Sequence, residues 1–136
     1  MFSRLTTFLK KWPLFLYGLP VFFVLHGFTE NYDFVPVKDA LLLTSVYLGF
    51  SVFFSLLCWL PYRNFIKANL AAFCIMAFHF FFGSVHDMLK KWVPESFLVK
   101  YIFLLPAALI LFIILFIVIK KRKTPLHRLS YYLNLV

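Results

Sequence analysis

Tyr101 to Ile119 reads YIFLLPAALILFIILFIVI, and the next four residues, Lys120 to Lys123, read KKRK. The apolar run holds no charged residue, is as long as a hydrocarbon core requires, and stops at a block of four cations. That combination marks a membrane-spanning helix with its end held in the headgroups. Working back along the chain, the same reading applies to Ala40–Leu60, ALLLTSVYLGFSVFFSLLCWL. Its 21 residues reach about 31 Å as a helix. Two further runs, Phe65–Val85 and Trp12–Phe28, complete the set. Lys67 and Asn69 stand in the first turn of the third run, where a lysine can snorkel back to the interface. Pro20 lies inside the first run and predicts a bend there, because it lacks the N–H of an interior helical bond. Lys10 and Lys11 before that run resemble the start of a signal peptide, but no small-residue cleavage site follows and further spans do.

Composition agrees. Hydrophobic residues make up 63% of the 136 and charged residues 14%. A soluble domain carries about 45–50% and roughly 25%. A water-soluble fold of this size has too little interior to hide the excess. The expectation is an all-α fold: one multi-pass transmembrane domain over 1–136, a bundle of about four helices with spans at 12–28, 40–60, 65–85 and 101–119. Trp12, Tyr62, Trp92 and Tyr101 fall at the expected interfaces and fit an aromatic belt.

Orientation follows from the basic residues. Arg4, Lys10, Lys11, Arg63, Lys67, Lys120, Lys121, Lys123, Arg122 and Arg128 fall on one side, with no acid among them. The other side carries Lys38, Lys90, Lys91 and Lys100 and all five acids, Glu30, Asp33, Asp39, Asp87 and Glu95. Lys and Arg near helix ends stay on the cytoplasmic face, so both termini are expected there. The net charge of +9 is therefore read as topology and attraction to anionic lipid, not as a nucleic-acid surface. Beyond the basic stop, 120–136 turns apolar again in LSYYLNLV. Two readings of this tail stand at this point: an interfacial amphipathic turn, or the entry to a further span.

Candidate functional residues are few. His26, Glu30 and Asn31 close the first run, and His86 and Asp87 close the third, both at the outer face. His26 and Glu30 are four apart and share a face if the helix continues that far. If the outer ends of these two helices meet, the four ionisable groups form a site for a lipid headgroup or a divalent metal. The plainer reading is that polar residues mark where helices leave the membrane. His79, in AFHFFFG, is the titratable side chain inside a span. Hydrocarbon leaves its ring nitrogens without partners, so it is expected to face other helices. Cys58 and Cys74 lie in apolar runs without a CxxC or His partner and read as small core residues.

Several function classes are disfavoured. No span contains Asp or Glu, which counts against a proton-coupled drug carrier. No P-loop, GxSxG or dinucleotide fingerprint occurs, so no catalytic constellation and no cofactor is expected.

The stretches HGFTENYDFVPVKDALLLTSVYLGFSVFF (26–54), YRNFIKANLAAF (62–73) and HFFFGSVHDMLKK (79–91), with the basic stop and YYLNL (131–135), resemble the N-terminal membrane region of bacterial membrane-anchored sulfatase-like proteins. That superfamily includes lipoteichoic acid synthases and phosphoethanolamine transferases. The resemblance rests on helix-end residues such as His26, Gly27, Asn31, Gly83, His86 and Asp87, not on a catalytic motif. It implies a module of the bacterial inner membrane that anchors or supports an extracytoplasmic hydrolase or transferase acting on cell-envelope lipids or glycans. The nucleophile and metal ligands of such a domain lie outside the helices, so only the anchoring role and lipid presentation at the outer helix ends carry over. The implied partners are membrane lipids and either a C-terminal extracytoplasmic domain or a partner subunit. Two rivals remain: a small GtrA-like flippase or carrier for lipid-linked sugars, and an accessory subunit of a membrane complex.

Overall fold

The computed structural model describes residues 12–94, 96–122 and 126–135. Those residues form five α-helices and one 3-10 turn, with no strand. They are α1 (Leu14–Glu30), α2 (Val37–Tyr62), α3 (Phe65–Trp92), the turn Phe97–Val99, α4 (Tyr101–Lys121) and α5 (His127–Leu133). Three of them, α2, α3 and α4, are long and apolar enough to cross a membrane; α1, with 17 residues, is shorter.

Local chemistry accounts for the helix ends. Pro36 opens α2, its carbonyl accepting from Asp39 N and Ala40 N at 3.0 and 3.3 Å. Asp39 in the first turn complements the positive end of the helix. Pro61 lies within the last turn of this helix. A proline this near the end removes one hydrogen bond, and the turn still completes because Arg63 N–H reaches Trp59 O at 2.8 Å. Arg63 then adopts the left-handed conformation, φ 47°. Asn64 starts α3 at once: its side-chain oxygen accepts from Lys67 N and its carbonyl from Ala68 N. Two residues thus reverse the chain.

The third span was expected to end at Val85, yet α3 continues to Trp92. Hydropathy ends where the oily stretch ends, whereas a helix ends where its hydrogen bonding is interrupted. Here Lys90 and Lys91 in the last turn favour the negative end of the helix, and Pro94 follows.

The chain divides into two compact units, one of residues 1–77 with 124–136 and the other of 78–123. In the first, α1 packs along α2. Ser51, Ser55 and Cys58 are the buried positions of α2, spaced four and three apart along one stripe. Ala68, Asn69, Ala71, Ala72 and Met76 are buried on α3. Small side chains let helix backbones approach closely, which is what drives association where lipid is as apolar as leucine. A polar link crosses this seam: Ser55 Oγ donates to Asn69 Oδ1 at 2.8 Å, and Asn69 Nδ2 donates to Phe65 O at 2.6 Å. Phe15 of α1 meets Phe73 edge-on with centroids 5.2 Å apart. Cys58 is buried and Cys74 half-buried, both as free thiols, in line with their reading as small packing residues.

In the second unit, Phe78, Phe82 and His86 recur at four-residue spacing along α3 and face α4. Phe78 meets Phe112 at 4.9 Å, and Phe82 and His86 both meet Tyr101, at 6.3 and 4.3 Å. The remainder of α4 turns outward, and only 6% of its most apolar window is buried, against 39% for α3.

Candidate functional site

The residues singled out from the sequence fall into two pairs, one in each unit. In the first, α1 reaches Glu30, so His26 and Glu30 do share a face. His26 Nε2 lies 3.4 Å from Glu30 Oε1, with both side chains more than half exposed. Such an exposed pair at four-residue spacing contributes about 0.3–0.5 kcal/mol when the imidazole is protonated. The imidazole also stacks on Phe22, with planes 11° apart.

Asn31 has a structural task. Its Nδ2 donates to Gly27 O and its backbone N–H to Phe28 O, closing the last turn of α1. Its own carbonyl accepts from Phe34 N and Val35 N and so bends the following loop. Thr29 Oγ1 caps the neighbouring carbonyl of His26 at 2.8 Å. The loop encloses a shallow hollow lined by Phe28, Tyr32, Asp33 and Pro36 among others, and neither His26 nor Glu30 lines it.

In the second unit, His86 and Asp87 do not sit at a helix end; α3 continues past them to Trp92. His86 is mostly covered, its side chain 12% exposed, while Asp87 is 82% exposed. The cover is Tyr101, the first residue of α4, whose ring lies parallel to the imidazole at 4.3 Å and 13°. Nδ1 stands 3.4 Å from both Asp87 Oδ1 and Tyr101 Oη. The two contacts compete for one nitrogen: it donates to the carboxylate in one tautomer and accepts from the phenol in the other. His86 is thus the last rung of the aromatic ladder on α3 as well as a polar group. Tyr101, read from the sequence only as an interfacial aromatic, is the residue that positions it. The four-residue spacing of Phe78, Phe82 and His86 was the signal available for this.

His79 is exposed along α3 with Phe80 beside it, ring centroids 5.5 Å apart. It has nearly the same angular position as the fully buried Ala68 and Ala72, eleven and seven residues earlier. Helical periodicity gives that angle and says nothing about what lies opposite.

Sequence reasoning missed two polar positions. Asn69 was read as a first-turn residue near the interface, yet it is fully buried. Asn134, in the apolar tail, reaches back to α1: Phe15 N–H donates to its Oδ1 at 2.9 Å, and its Nδ2 donates to Trp12 O at 2.6 Å. Neither partner could be found from spacing, because the contacts span 14 and about 120 residues.

Among the described residues no three His, Cys, Asp or Glu side chains gather to hold a metal ion, and every buried polar side-chain atom has a partner. Lys10, Lys11, Glu95 and Lys123, used in the charge count, lie outside the described residues, as does Arg4. In comparisons with known proteins, no family model, no curated protein and no solved structure matches this chain.

Proposed function

We propose that the chain is a four-crossing module of a bacterial inner membrane, with both ends cytoplasmic, that anchors or supports an extracytoplasmic sulfatase-like enzyme of envelope lipids or glycans. The observation that carries this reading is the distribution of side chains. Where α2 meets α3 the buried side chains are mostly small, Ser51, Ser55, Cys58, Ala68, Ala71 and Ala72 with Asn69, and among the described residues every buried polar side-chain atom has a partner. The large aliphatic surface of α2 and α4 points outward, with 17% and 6% of their most apolar windows buried. Such a body is held firmly by lipid or by neighbouring helices and is suited to holding rather than to chemistry. The ten basic residues on one side, against four with all five acids on the other, support this orientation. The polar pairs His26–Glu30 and His86–Asp87 then lie toward the outer headgroups.

Reconstitution separates this role from transport. Purified chain in liposomes carrying a fluorescent lipid-linked sugar should leave the label in its original leaflet, as in protein-free vesicles. Cross-linking in native membranes should join the chain to an extracytoplasmic domain with a Ser or Thr nucleophile and metal ligands. Flipping of the label by the chain alone overturns the anchoring role in favour of a carrier.

A further inference from the structure

The start of α1 lacks a cap of its own. Pro13 occupies the cap position and offers no side-chain acceptor. The first N–H groups of any helix have no intrahelical partner, and at the edge of a membrane helix they are costly to leave unmet. Asn134 meets one of them from the far end of the chain. Its carboxamide oxygen takes the N–H of Phe15, while its amide nitrogen donates to the carbonyl of Trp12, so both ends of the group are used. Asparagine is among the best N-cap residues. Aspartate lacks the donor needed for the second bond, and serine has a single oxygen for both tasks. The segment that delivers Asn134 is itself seated, with Leu126 and Ser130 buried. Asn134 also ends α5, its N–H bonding Ser130 O and Tyr132 O, which sets the direction of its side chain.

We infer that Leu126–Leu135 is an intramolecular strap: it supplies the missing cap of α1 through Asn134 and ties both ends of the described chain to one membrane face. A consequence follows for α1, resting on the proposed reading of α2, α3 and α4 as crossings. Two residues that hydrogen-bond directly lie on the same side of a bilayer, so the chain between them crosses an even number of times. Three crossings leave the ends on opposite sides, and α1 supplies the fourth. Its 17 residues span about 25 Å, a little less than a hydrocarbon core of roughly 30 Å. Trp12 and Pro13 on one side and the polar turn Asn31–Pro36 on the other make up the difference.

The test uses the full chain in native membrane vesicles, in a background of Cys58→Ala and Cys74→Ala. Leu14→Cys and Leu135→Cys flank the contact and are both exposed, at 40% and 59%. Each should react with a monofunctional maleimide, and a flexible bismaleimide should join them within one chain. Asn134→Ala should slow that cross-link about fivefold, the effect of an ordinary lost cap, with Asn134→Asp between the two. A membrane-impermeant maleimide should reach both cysteines from the same face. Reactive cysteines that never cross-link, or a cross-link rate indifferent to Asn134→Ala, overturn the strap. Labelling from opposite faces overturns the strap and the fourth crossing together. The anchoring role stands or falls separately, on the liposome assay.

Discussion

Asn69 is the residue whose removal should tell most about how the first unit holds together. It is fully buried, accepts from Ser55 Oγ at 2.8 Å and donates to Phe65 O at 2.6 Å. Asn69→Ala deletes a carboxamide of volume on the order of 25–30 Å3, worth about 0.7 kcal/mol at roughly 24 cal/mol per Å3 of cavity. It also breaks the link to Ser55. Interhelical hydrogen bonds in membranes average about 0.6 kcal/mol and reach about 1.7. The sum places Asn69→Ala at about 1.3–2.4 kcal/mol of destabilisation. Ser55→Ala removes only the hydroxyl and strands Asn69 Oδ1, which should cost about 1 kcal/mol. In the double variant the link is already gone, so the losses should fall short of additivity by about 0.6 kcal/mol or more. The assay is SDS-induced unfolding of the purified chain in mixed micelles, followed by the fluorescence of its three tryptophans, Trp12, Trp59 and Trp92. Strict additivity within about 0.3 kcal/mol would show that the two side chains do not support each other, and the polar seam would lose its role in joining α2 to α3.

Three further outcomes are expected. Arg63→Gly relieves a left-handed residue at φ 47° and should raise stability by about 1 kcal/mol in the same titration, whereas Arg63→Val should lower it. His86→Phe keeps the ring against Tyr101 and should hold stability within about 0.5 kcal/mol, while His86→Ala should cost about 1–2 kcal/mol. Loss of function in a stable His86→Phe protein would instead assign the imidazole a headgroup-binding role. Under the proposed topology, a cysteine at Asp33 should label with an impermeant reagent from outside the cell and one at Arg128 should not; the reverse pattern would invert the orientation.

Much of the architecture is visible in the linear chain, and the reason is physical. Hydrocarbon tolerates a backbone only if each segment satisfies its own hydrogen bonds. Long apolar runs such as Tyr101–Ile119 therefore declare their conformation without reference to any neighbour. The pairing of His26 with Glu30 was legible for the same reason, because both belong to one helical turn. Helix ends were less so. Pro61 lies inside its helix, and α3 runs to Trp92, because hydropathy reports solvent preference and not where hydrogen bonding stops.

The tertiary structure alone decided which faces meet. A membrane helix that is apolar all round carries no stripe marking its inner side, so the sequence offers no amphipathic guide of the kind a soluble helix provides. Nothing local distinguishes Asn69, fully buried against Ser55, from a residue snorkelling at the interface. Nothing local marks Asn134 as the cap of a helix some 120 residues earlier, or Tyr101 as the cover over His86. His79 and Ala72 share an angle on α3, and one is exposed while the other is enclosed. Solvation by lipid acts on each segment independently and is written in composition. The short-range packing of small and hydrogen-bonding side chains exists only once two segments have been brought together.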